Sequence, residues 1–323
     1  MREDWGRVTG CLEIVAPDLR ELAPAAASLR AVGSLRLVCA GLERLSLPAL
    51  ATVDGILDLP GGGLPVLREV ELPALSSCGR MSVWGCPRLE SLRLPALATC
   101  GALHVASNPE LTGLDLPQLQ TITGSSDCDN GTQNLSVADC LRLARLRFPA
   151  LRTVSGYWGG IAVSGVPALG EIELPVLSSV ASRLEVLKAP SLERLDLPAL
   201  EDARAVKLNQ NAALRHVGLP SLSVLDGPLE VCENPVLAGL ELPRLERLYS
   251  LHLQDNAALG RVGLPALARI GFNVNVFENR CLREFAVPAL KTMNGWLWAK
   301  RTPLPENATA AMKAAGAKPA PDS

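Results

Sequence analysis

Aromatic residues are scarce in this 323-residue chain, at 3% of the total. So few rings speak against one thick globular core and favour thin layers filled by Leu, Val, Ala and Ile. Histidine occurs three times. His104, His216 and His252 lie far apart along the chain, and none has a Ser, Cys or Asp at a recognisable catalytic spacing. They read as surface residues, and the chain reads as a non-enzyme. No CxxC pair and no Cys/His cluster with metal-ligand spacing is present, so no metal and no cofactor is expected. The nine cysteines are odd in number and irregularly spaced, unlike a disulfide framework. No apolar run approaches the ~20 residues that span a bilayer, so no membrane insertion is expected. The opening MREDWGRVTG lacks the basic start and apolar stretch of a secretory signal, which gives a cytoplasmic reading. The alternative is a cell-surface or secreted protein whose export signal is missing from this chain. Net charge is −2 with both signs interspersed, so no basic stripe points to a nucleic-acid partner.

What the chain has in abundance is a repeat. A leucine–proline–any–leucine motif, with light variation, places prolines at Pro48, Pro73, Pro95, Pro117, Pro149, Pro175, Pro198, Pro220, Pro243, Pro265 and Pro288. Eight of the ten gaps are 22 to 25 residues, and the exceptions are 32 and 26. The consensus is close to L-x-V-x-x-N-P-x-L-x-x-L-x-L-P-x-L-x-x-V-x-G. Its runs L-x-V and L-x-x-L-x-L have the period of two that reads as strand. Neither run can bury its apolar face alone, whereas stacked copies form a continuous interior and pair in parallel. Proline then marks a corner where the ladder ends and a missing N–H costs little. Asn108, Asn211, Asn234, Asn256 and Asn279 share a second corner, where an amide can satisfy backbone groups of a tight bend. Cys86 and Cys140 replace Asn there. Cys78 and Cys100 fall at core positions on successive turns, as small hydrophobes that are not expected to be bridged.

These residues resemble leucine-rich repeats, and more closely the receptor L-domain type of growth-factor receptors and fungal cell-wall proteins. The opening VTGCLEIVAPDLRELAPAAASLRAVGSLRLV is similar to the first turn of such domains. The resemblance covers roughly residues 8–302 and implies a mainly β, right-handed solenoid of about twelve turns of 22–25 residues, with short capping helices. Residues 1–302 are expected to form one continuous solenoid, with an N-terminal cap over about 8–34. Residues 303–323 are expected to hold a short helix, entered through Pro305 and stopped near Gly316, and an unstructured tail. The resemblance implies binding of proteins or glycans. The chain departs from it in showing neither an export signal nor terminal disulfides. An excess of Arg over Lys, with much Ala and Leu, fits a GC-rich bacterial genome.

Three surfaces compete for function. The outward residues of the L-x-V strands include Trp84, His104, Arg183, Glu185, Lys207, His252 and Phe277, a varied face suited to a partner. The two long gaps insert GSSDCDNGTQ and SGYWGG at one corner of adjacent turns. Their Asp127, Asp129, Asn130, Tyr157 and Trp158 would form a ledge for a protein or a sugar. The L-x-x-L-x-L side carries Glu71, Arg93, Asp115, Arg147, Glu173, Asp196 and Glu241, whose signs alternate as expected of a solvated face. The reading is a non-catalytic, monomeric scaffold that binds a protein partner through the L-x-V face and the 124–133/155–160 ledge. A glycan is the alternative ligand, with a polysaccharide-active β-helix enzyme or a structural rod behind it.

Overall fold

The computed structural model describes residues 6–20, 22, 24–124, 134–156 and 159–319. It is a parallel β-solenoid of about twelve turns, 45% strand and 5% helix. Two compact units, Met1–Leu174 and Pro175–Ser323, divide the chain.

One turn of the second unit shows how the sequence closes each rung. Glu233 takes a left-handed φ of 57°, and Asn234 opens a tight turn in which Leu237 N–H donates to Asn234 O at 3.2 Å. Pro235 occupies the second position, where its fixed φ suits the bend. The short strand Gly239–Glu241 follows. Leu242, Pro243 and Leu245 then make a second such turn, with Leu245 N–H donating to Leu242 O at 3.3 Å. The long strand Arg247–Gln254 completes the rung. Leu237, Leu240, Leu242, Leu245, Leu248, Leu251 and Leu253 are all buried. Each contributes roughly 1.5–3 kcal/mol by leaving water, which is why an aliphatic core suffices. The leucine–proline–any–leucine motif is therefore a turn whose two leucines both point inward and whose proline needs no ladder bond.

In the first unit the long strands Ala31–Val38, Thr52–Pro60, Ser77–Trp84 and Thr99–Ala106 pair in parallel, each with its copy one turn on. The short strands of this unit form a separate six-stranded sheet, and those of the second unit a five-stranded one. Ion pairs link neighbours on these short-strand sheets, including Arg44 Nε–Glu69 at 3.1 Å, Arg147–Glu173 at 2.5 Å and Arg261–Glu241 at 2.8 Å. The alternation of sign expected from sequence holds from Glu71 to Glu173 but not beyond, where Asp196 and Glu241 are both acidic; the charges meet in solvated cross-strand pairs.

Near the start, a 3-10 turn at Pro24–Ser28 buries Ala26. At the other end the helix Glu306–Ala314 buries Ala308 and Met312, and Gly316 follows at φ 105°. Lys318–Pro319 pair with Trp296 and Leu297, so the first residues of the expected unstructured tail lie in a strand. Among the described residues no helix is long and apolar enough to cross a membrane.

Candidate functional site

The asparagine corner positions the sheet beside it. In the second unit each Asn reaches back one turn and uses both ends of its amide. Asn234 Oδ1 accepts the Asn211 N–H at 3.1 Å, and its Nδ2 donates to Leu208 O at 2.8 Å. Asn256 does the same with Asn234 N–H at 3.1 Å and Val231 O at 2.8 Å. Asn279 repeats it with Asn256 N–H at 3.2 Å and Leu253 O at 2.9 Å. Thr302 Oγ1 ends the series by accepting Asn279 N–H at 3.1 Å. All four asparagines are fully buried, so these bonds satisfy groups that water cannot reach. The strands they tie down carry the outward L-x-V residues.

Across that face of the second unit the register aligns Glu185, Lys207, Glu230, His252, Asn275 and Trp298 in one row. Arg183 Nη1 meets Glu185 at 3.4 Å and Lys207 Nζ meets Glu230 at 3.0 Å. Asn275 Nδ2 donates to His252 Nδ1 at 2.9 Å, and His252 Nε2 lies 3.0 Å from Ser250 Oγ. Burial lowers the His252 pKa; Lys207 lowers it further, and Glu230 works against both. The imidazole is therefore neutral at pH 7.

This serine–histidine–asparagine contact was not legible from spacing, because Asn275 arrives from the next turn. It superficially matches a nucleophilic arrangement, but Ser250 is only 3% exposed. His216 likewise has an unforeseen partner, Asp196 at 3.0 Å on the adjacent short strand. The third histidine corrects the surface reading: His104 is 8% exposed and its Nδ1 accepts from Arg80 Nη2 at 3.2 Å.

Beside the row stands an aromatic group. Tyr249 and Phe272 stack with centroids 5.6 Å apart, and Trp296 meets Phe272 edge-on at 6.3 Å. Phe277 and Trp298 pair at 6.5 Å. Only Phe277 of these five was singled out as a partner-binding residue from sequence. Yet Tyr249, Phe272 and Trp296 are 23 and 24 residues apart, one repeat period each, and that spacing was a readable signal.

In the first unit, Trp84 stands out at 51% exposed, next to Pro60 and Ala106 in register. The insertions leave from neighbouring points there, since Ser155 N–H donates to Ile122 O at 2.8 Å. Asn134 is buried, and its Nδ2 donates to Ser155 O at 2.7 Å. The ledge residues Asp127, Asp129, Asn130, Tyr157 and Trp158 lie outside the described residues. A groove of about 550 Å³ runs along the third corner of this unit, lined by Asp54, Ser77, Thr99 and Thr123, with Cys78 and Cys100 at its floor. Both thiols are free and buried. A hydrogen bond to Cys100 and then burial raise the Cys78 pKa, which keeps it a thiol and unreactive. Among the described residues no group of three or more His, Cys, Asp or Glu is placed to hold a metal ion. No protein-family model and no curated protein matches the chain.

Proposed function

We propose that the chain is a non-catalytic recognition scaffold that holds a protein partner against the outward face of the long-strand sheet in the second unit. One observation carries this reading: exposed rings stand beside a fixed polar row on a single sheet face. Exposed aromatic anchors ringed by polar groups are the usual makings of a binding surface. The first turns of that face supply Arg183, Glu185, Lys207 and Glu230 for charge complementarity, and the last turns supply the rings. Ser250 is buried, so the one histidine-linked hydroxyl of the face has no access to a substrate. Unpaired buried thiols suit a reducing compartment, in keeping with a cytoplasmic protein.

A fluorophosphonate serine probe tests the non-catalytic part. The native chain should stay unlabelled while a serine hydrolase control reacts. Labelling at Ser250 would replace recognition with catalysis. For the partner, the chain immobilised in extract of its native cell should retain a protein that the Lys207→Glu variant releases. Equal retention by both would remove this face from the reading.

A further inference from the structure

The second unit concentrates rings in a chain that has few. Of 5 Trp, 2 Tyr and 4 Phe in the whole sequence, Tyr249, Phe272, Phe277, Trp296 and Trp298 all belong to its last three turns. Tyr249, Phe272 and Trp298 are 46%, 41% and 37% exposed. Leaving such groups in water forgoes the gain of burying them, so a patch of this kind marks contact with something.

The chemistry around the rings identifies that something. On the three preceding turns the outward positions are Arg183, Glu185 and Leu187, then Ala205, Lys207 and Asn209, then Pro228, Glu230 and Cys232. Charge is frequent among them. On the last three turns the positions are Ser250, His252 and Gln254, then Asn273, Asn275 and Phe277, then Trp296, Trp298 and Lys300. Lys300 alone is charged there, because burial keeps His252 neutral. Charge gives way to amides and rings where one face of the sheet becomes aromatic. An acidic ligand such as a nucleic acid or a uronic-acid polymer would need cations at these positions, and a basic peptide would need carboxylates. Rings match the apolar faces of pyranoses, while amide groups both donate to and accept from hydroxyls.

We infer that the last three turns of the second unit bind a neutral saccharide, its pyranose faces stacked on Trp298 and the Tyr249–Phe272 pair and its hydroxyls bonded by Gln254. The inference rests on the recognition reading above and names what is recognised: a glycan carried by the protein partner, or the same chemistry in a free polysaccharide. Gln254 is held in register opposite Phe277, which pairs with Trp298, so the hydrogen-bonding and stacking groups sit on adjacent strands about 4.8 Å apart. That separation matches the width of one sugar ring.

The test titrates the full chain, by calorimetry and tryptophan emission, with neutral gluco-, manno-, galacto- and xylo-oligosaccharides. A uronic-acid oligosaccharide and a sulfated one serve as charged controls. A high-mannose glycoprotein and its deglycosylated form separate the two sources. Saturable binding of a neutral series that survives raised salt is the expected result. Trp298→Ala and Tyr249→Ala should each weaken it by about tenfold or more, with an unchanged circular dichroism spectrum because both side chains are exposed. Gln254→Ala should weaken it less. The saccharide inference fails if no neutral sugar or glycoprotein binds, or if only the charged controls bind and salt abolishes it. That failure leaves partner recognition standing, since the Lys207→Glu comparison reads a different part of the face. Fluorophosphonate labelling of Ser250 would instead remove the recognition reading itself.

Discussion

The two units solve the same corner with different side chains. In the first, the column that follows the long strand holds Cys39, Gly61, Cys86, Asn108, Cys140 and Val166; in the second it holds Ala189 and then Asn211, Asn234, Asn256 and Asn279. A buried thiol there makes only weak bonds, as Cys86 Sγ does to Leu59 O at 3.6 Å and Trp84 O at 3.9 Å, whereas each Asn makes two good ones to the turn before it. The third corner differs in the opposite sense. Both units place glycines there, but the first leaves a groove beside Gly55, Gly79 and Gly101, while the second adds Tyr249 and Phe272 to Gly227, Gly271 and Gly295 and makes an aromatic edge. A repeat can therefore keep its leucines unchanged and still give one stretch the means of holding a ligand. Corner residues, rather than core residues, distinguish the units.

The comparison is broken most severely by removing a rung of the asparagine ladder. Asn256→Ala leaves the Asn234 N–H buried without its acceptor and takes the amide donor from the Val231 carbonyl. It should lower stability by about 2–4 kcal/mol, measured by urea unfolding and by faster amide exchange around Val231. Next comes the glycine corner of the first unit. A Cβ on Gly101 would lie 2.1 Å from Gly79 O, so Gly101→Ala should cost about 1–3 kcal/mol. A wild-type melting temperature in that variant would show that the corner can relax.

A milder effect is expected from Cys86→Ala. It removes a weak donor whose pKa is pushed up to about 12, chiefly by burial and then by Asp58. A loss of about 1 kcal/mol, clearly below that of Asn256→Ala, would bear out the contrast between columns, and an equal loss would erase it. The smallest effect is on pH dependence. His252 has a folded pKa below its ordinary value, so the unfolded chain takes up the proton first. Its contribution is fully present above about pH 6.5, the ordinary imidazole value, and is lost as the pH falls through that value toward the lowered folded pKa. His252→Gln should flatten stability between pH 7 and 5, and an unchanged slope would show that another group governs it.

Much of this architecture is legible in the sequence. The proline column marks the turns because proline at the second position of a tight bend needs neither a free φ nor an N–H. The asparagine column marks a corner, although which carbonyl each amide reaches depends on the neighbouring turn. The functional face is less legible. Single-sequence spacing finds partners within a turn and misses those delivered by stacking, so Asn275 beside His252 and Asp196 beside His216 went unseen. Alternation places His104 outward as a surface residue, yet the side chains around it bury it. Tyr249 and Phe272 sit at the corner outside the L-x-V triplet, where the consensus has no residue to mark them.

The asparagine column ties successive turns of the second unit into a fixed base for its outward face, and native-state hydrogen exchange of the full chain measures this. The Asn211, Asn234 and Asn256 amides, whose acceptors are side-chain oxygens rather than a regular ladder, should exchange as slowly as the strand amides beside them. Exchange at the rate of exposed loop amides would contradict the ladder and, with it, the fixed platform on which the recognition face depends.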